Sequence, residues 1–157
     1  MGTSSDASAI AQPFDALLAE LAGGGRGARS AFHEPATVEA AGKALAARVA
    51  HLLPEVVLSS DQWQDVLLGH VVARELEART THIYDAQGTV ELSEPLTPGA
   101  RCILVASAFE QANSVRAALA AVAYHGGEVV AVGCLIRTQV LEQEMGADLT
   151  VVDLSRS

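Results

Sequence analysis

Two unbroken apolar runs, Cys102-Ile103-Leu104-Val105 and Val129 to Ile136, constrain the fold of this chain more than any other feature. A strand with one wet face alternates apolar and polar residues, whereas a continuous apolar run is what a sheet covered on both faces requires. Between the two runs, about Ser114 to Tyr124, Val115, Ala118, Leu119 and Val122 fall at helical spacing, and His125-Gly126-Gly127 closes the helix. Strand, helix and strand in that order predict a parallel pairing with a helix packed on the sheet.

The same alternation runs through most of the sequence. Pro35 suits the first turn of a helix, and Val38, Ala41, Leu45, Val49 and Leu52 continue it until Pro54. Glu55 to Leu58 reads as a short strand, and Val66 to Leu76 returns to helical spacing. Thr80–Tyr84 and Thr89–Leu92 read as strands around an Asp85-Ala86-Gln87-Gly88 turn. An amphipathic stretch, Leu141 to Met145, precedes a last strand, Leu149 to Val152. The expected fold class is α/β, a mostly parallel twisted sheet with helices on both faces. Residues 13–157 form one domain, Pro13 to Leu21 reads as a short helix ending at Gly23-Gly24-Gly25, and residues 1–12 read as disordered.

Composition then removes whole classes of function. Half of the residues are apolar, enough for a core without staples. The net charge of −9, with Lys43 the one lysine, argues against nucleic acid and anionic lipid as partners, since both need clustered cations. No apolar run approaches the roughly 20 residues that span a bilayer, and no basic-then-apolar leader opens the chain. Cys102 and Cys134 lie inside apolar runs and read as buried free thiols of a reducing cytoplasm. No Cys/His ligand spacing suggests a metal.

Ligands of an open parallel sheet bind beyond the carboxyl ends of its strands. Three segments hold those positions: Ser59 to Asp65, Ala106 to Ser114, and the chain from Arg137-Thr138. Pro98-Gly99-Ala100-Arg101 leads into the first apolar run, nine loop residues follow, and Gly126-Gly127-Glu128-Val129-Val130-Ala131-Val132 opens the second. That arrangement resembles the core of the type I phosphoribosyltransferases, most closely their orotate branch. Leu68 to Leu76 is similar to the helix after the family's pyrophosphate loop, and the likeness covers about Pro35 to Leu154.

The resemblance implies a phosphoribosyl pyrophosphate site, and the residues at its positions depart from the family's. An acidic pair that meets the ribose hydroxyls is replaced by Ala106 and Ser107. The glycine-rich phosphate loop becomes Glu110-Gln111-Ala112-Asn113-Ser114, in which only Ser114 keeps the pattern. Ala112 and Asn113 stand where glycines let the backbone approach a phosphate, and Glu110 repels one by roughly 1 kcal/mol per unit charge at about 4 Å even in water. The pyrophosphate-loop positions are Ser59, Ser60, Asp61 and Trp63. The segment matching the family's mobile loop, about Tyr84 to Pro98, has neither Lys nor Arg, and Gly27 to Glu34 is too short for the orotate hood, which is expected to be reduced or absent.

Individual residues carry two readings each. Glu110 is either an exposed loop acid or a carboxylate folded into its own anion site. Asn113 and Ser114 suit helix N-caps. Trp63 either stacks a base or packs on a helix or partner chain. Arg137 is the best-placed cation for a small anion and equally suits a structural ion pair. The expectation is a catalytically degenerate phosphoribosyltransferase-like protein, a binding or regulatory module or non-catalytic subunit, with no cofactor and no metal. It would pair as a homodimer or with a phosphoribosyltransferase-like paralogue, and a small molecule would occupy the cleft. The alternative is an active transferase of orotate or a related nucleobase with an atypical site and magnesium. A third reading is a structural protein whose cleft Phe109 and Trp63 fill.

Overall fold

The computed structural model describes Ala19, residues 32–144 and residues 149–155. Four α-helices are described, α1 (Pro35–Val49), α2 (Trp63–Leu76), α3 (Ala112–Tyr124) and α4 (Gln139–Glu144), with a 3-10 turn, Ala50–Leu52, after the first. Six strands form one sheet: β1 (Val56–Ser60), β2 (Arg79–Ala86), β3 (Thr89–Leu92), β4 (Arg101–Ala108), β5 (Glu128–Ile136) and β6 (Thr150–Asp153). Their order is β3-β2-β1-β4-β5-β6, and only the β2–β3 pairing is antiparallel. The α/β class with a mostly parallel sheet is therefore the observed one. The N-terminal helix and the disordered start read from the sequence lie outside the described residues, apart from Ala19, as does most of the segment assigned to the hood.

Alternation along each strand sends residues to two separate cores. Val57, Ile103, Val105, Ala131 and Leu135 point to α1 and α2, where Leu45, Val49, Leu68 and Val72 meet them. Leu58, Cys102, Leu104, Ala106, Val132 and Cys134 point the other way, to Val115, Ala118 and Val122 of α3 and Leu141 of α4. Both faces are covered, which is why the strand centres read as unbroken apolar runs.

Two glycines let elements meet closely. Gly42 on α1 faces Val71 on α2, where a Cβ would lie 2.4 Å from Val71 Cγ1. Gly69 on α2 lies over Ser59 of β1, with 3.2 Å between an added Cβ and the serine's own. At the β2–β3 hairpin, Gln87 and Gly88 both have positive φ, 58° and 87°, the geometry of a two-residue turn that matches strand twist. Asp85 Oδ1 accepts the Gly88 N–H at 2.7 Å and fixes that turn.

The chain leaves β1 for β2 and β3 on one side, then returns to place β4, β5 and β6 on the other. Strand order therefore reverses between β1 and β4. The helix after β1 covers one face and the helix after β4 the other, so the two connections diverge there. A crevice at the carboxyl ends of β1 and β4 is the position such sheets give to ligands.

Candidate functional site

The connections at this end of the sheet are shorter than the sequence suggests. The pyrophosphate-loop positions are mostly regular structure: Ser59 and Ser60 end β1, Asp61 and Gln62 alone form the loop, and Trp63 is the first residue of α2. The helix starts three residues before the expected Val66, because an extended Gln62 lets it begin as soon as β1 ends. After β4, the nine expected loop residues reduce to three. Ala106, Ser107 and Ala108 stay in the sheet, since β4 pairs with β5 as far as Ala108–Ile136. Phe109, Glu110 and Gln111 form the loop, and Ala112 opens α3. Asn113 and Ser114 consequently lie inside the first turn and are not caps; Gln111 holds the cap position without a side-chain bond.

Asp65 organises this end of the sheet. It sits in the first turn of α2, where the helix dipole favours a carboxylate, and it is buried. The Ser107 N–H and hydroxyl both donate to its Oδ1, at 2.9 and 3.1 Å. The Ser60 hydroxyl donates to its Oδ2 at 2.7 Å and in turn accepts the Gln62 N–H at 3.2 Å. Asp65 thus ties the end of β1 to the end of β4 across the point where strand order reverses. Burial pushes its pKa above the ordinary 3.8, the bonds from Ser107 and Ser60 oppose that rise, and the Glu110 charge adds to it.

The neighbouring polar groups are paired as well. Ser59 is buried, and its Oγ shares a hydrogen with His82 Nδ1 at 3.0 Å. The Thr138 hydroxyl donates to the Phe109 carbonyl at 2.5 Å, joining the loops after β4 and β5. Arg137 Nε donates to Asp153 Oδ2 at 2.8 Å, and its Nη2 to the Val151 carbonyl at 2.9 Å, so the structure places this guanidinium in an ion pair with β6. Glu110 and Asp61 are exposed. Phe109 is buried in the core beneath α3.

Trp63 is 41% exposed, with the His33 ring tilted over it at 5.0 Å and the edge of Phe32 at 6.3 Å. Its described contacts therefore come from the turn before α1. Burial pushes the Cys102 and Cys134 thiols up to about 11 and about 12, which leaves them unreactive. A shallow depression of about 330 Å³, lined by Ala50, Leu53, Pro54, Glu75, Leu76 and Glu77, opens at the amino ends of β1 and β2, away from these groups. Among the described residues no cluster of three metal-ligating side chains forms, and no helix is long and apolar enough to cross a membrane.

Of the residues singled out from the sequence, Ser60 and Ser107 come together, and the residue that joins them, Asp65, was read only as the end of the loop after β1, with no role of its own. An acid at the end of a polar loop looks like an ordinary solvated one. Its burial follows only from the register that sets β4 beside β1.

No protein-family model and no curated protein sequence matches the chain. Solved structures do. Adenine phosphoribosyltransferase from Rhodothermus marinus superposes with a TM-score of 0.63 at 18% identity, covering 78% of this chain and 80% of that one. The enzyme from Saccharomyces cerevisiae, solved with adenine and an iminoaltritol bisphosphate, gives 0.64 at 13%, covering 78% and 81%. A purine phosphoribosyltransferase from Pyrococcus horikoshii gives 0.52 at 13%, covering 74% and 87%. The fold is that of the type I phosphoribosyltransferases.

Proposed function

We propose that this chain uses the phosphoribosyltransferase fold to bind and regulate, as a module or as the non-catalytic member of a homodimer or of a heterodimer with an intact paralogue. One observation carries the reading: the connections that would hold phosphoribosyl pyrophosphate are two residues after β1 and three after β4. A phosphate needs several backbone N–H groups converging in a concave loop, and three residues between a strand and a helix leave little backbone for one.

The residues present also fail to fit the magnesium pyrophosphate that the family's reaction employs. Magnesium takes one or two carboxylates, and Ala106 and Ser107 supply none. Arg137 is engaged by Asp153, and the segment from Tyr84 to Pro98 carries no cation. A chain with two cysteines and no disulfide among the described residues suits a reducing cytoplasm as the place of action. What remains is the rim of this end of the sheet, with Trp63 and His33 exposed at one side, as the surface that would meet a small ligand or a paired chain.

The second reading, an active transferase of orotate or a related nucleobase, has one observation in its favour. Asp65 brings a carboxylate to Ser107 from a different element, which partly restores the charge lost with the acidic pair. A calorimetric titration with phosphoribosyl pyrophosphate and magnesium, repeated by Trp63 fluorescence, separates the two. No heat and no quenching at millimolar ligand is the expected result, and micromolar binding overturns the proposal. Light scattering over the micromolar range tests the pairing; a monomer throughout removes the homodimer.

A further inference from the structure

Three hydrogen-bond donors converge at the carboxyl ends of β1 and β4: the Ser60 hydroxyl, the Ser107 hydroxyl and the Ser107 backbone N–H. They come from two different strands, and they meet on the two oxygens of one carboxylate. The same point receives the start of α2, whose first-turn dipole favours negative charge. Such convergence is how proteins recognise a small planar oxyanion. Here the oxyanion is the side chain of Asp65, carried on the helix that leaves β1.

We propose that the carboxyl ends of β1 and β4 form a carboxylate receptor that the chain keeps filled with its own Asp65. The receptor is built by the fold, and the occupant is tethered to it. An external ligand that brings an anionic group to the end of β4 meets donors already satisfied, with the exposed Glu110 beside them. This goes beyond the reading of the chain as a binding module, because it names the group that holds the crevice shut and the chemistry that would replace it.

The bonding of Asp65 supports the assignment. Asp65 is 8% exposed, and its carboxylate accepts three hydrogen bonds of a possible four or so. An exposed aspartate at a helix start caps its own helix. This one reaches forty-two positions along the sequence to Ser107. Shortening it to alanine leaves a polar void the size of a carboxylate, lined by the three donors and open to a molecule no larger than formate.

The test is chemical rescue. In Asp65→Ala the thermal midpoint is followed by circular dichroism in sodium formate, acetate and chloride at equal ionic strength. If formate binds the vacated receptor with a Kd of about 10 mM, 100 mM formate raises the folding constant roughly tenfold, read as a Tm gain of about 3–6 °C over chloride. Wild type and Asp65→Asn, in which the place is filled, show no difference between formate and chloride. Adding Ser107→Ala to Asp65→Ala removes one donor and weakens the rescue by about tenfold. Should Asp65→Ala be unfolded in chloride, the same titration reads recovery of the helical signal. Equal behaviour of Asp65→Ala in formate and chloride overturns the receptor, as does equal formate stabilisation of wild type. Neither result bears on the phosphoribosyl pyrophosphate titration, so the two proposals fail separately.

Discussion

Gly42 is the place where one added methyl group tells most about how this molecule is built. Glycine within a helix costs about 1 kcal/mol relative to alanine, so on local grounds Gly42→Ala stabilises. The helix crossing reverses that sign. A Cβ at Gly42 would stand 2.4 Å from Val71 Cγ1 and 2.6 Å from Val71 Cβ, against roughly 3.5–4.0 Å for a comfortable carbon contact. The second distance matters more, because a rotamer change moves Cγ1 but not Cβ. Helices α1 and α2 must therefore separate by about an ångström, at the upper end of the roughly 1–3 kcal/mol that overpacking costs. Subtracting the gain in propensity leaves a net loss of about 2 kcal/mol, or about 4–8 °C in Tm for a chain of this size. Urea and thermal unfolding followed by circular dichroism measure it. Val71→Ala in the Gly42→Ala background removes the Cγ1 clash and recovers about 1 kcal/mol as a coupling energy. Because α2 carries Asp65 and Trp63, the displaced helix also shifts the Trp63 emission. A Gly42→Ala protein as stable as wild type, with additive Val71→Ala behaviour, would refute the close crossing.

Two other perturbations follow from the site. Asp65 has a raised pKa, so the stability it lends is complete below the unfolded value of about 3.8 and is lost as pH rises through the folded one. Asp65→Asn should therefore gain on wild type as pH rises above about 4 in urea midpoints measured across pH; a difference that grows in favour of aspartate with rising pH contradicts the sign. Asp153 accepts from Arg137 and from Ser155, at 2.8 and 2.7 Å, and is nearly buried. Asp153→Ala should lose about 2–3 kcal/mol by leaving those donors unpaired, a value reduced because the Arg137 side chain is 26% exposed. An unchanged urea midpoint would mean that water replaces the carboxylate without cost.

Much of the fold was legible along the chain because both faces of the sheet are covered. The strand positions are marked by uninterrupted apolar residues, as from Cys102 to Val105, and the Gln87-Gly88 turn lies where a glycine after a polar residue is needed. The ends of the elements were less legible. Ala106, Ser107 and Ala108 look like the start of a loop, yet pairing with β5 holds them in the sheet. Trp63 and Asp65 look like loop residues, yet they form the first turn of α2. Small polar residues suit a strand end, a loop or a helix start about equally, and what sits alongside decides among them.

The amino-acid sequence by itself determined that strands and helices alternate and that the sheet is buried on both faces. Each of these depends on residue type and near neighbours, which a linear pattern records. Only the tertiary structure decided how short the connections at the ligand end are, that Gly42 admits Val71, and that Asp65 lies beneath Ser107. Those depend on register between distant segments, since the strand order places β4 beside β1 after forty residues of intervening chain. Burial, which turns an ordinary aspartate into the centre of the site, is a property of that placement and has no local signature.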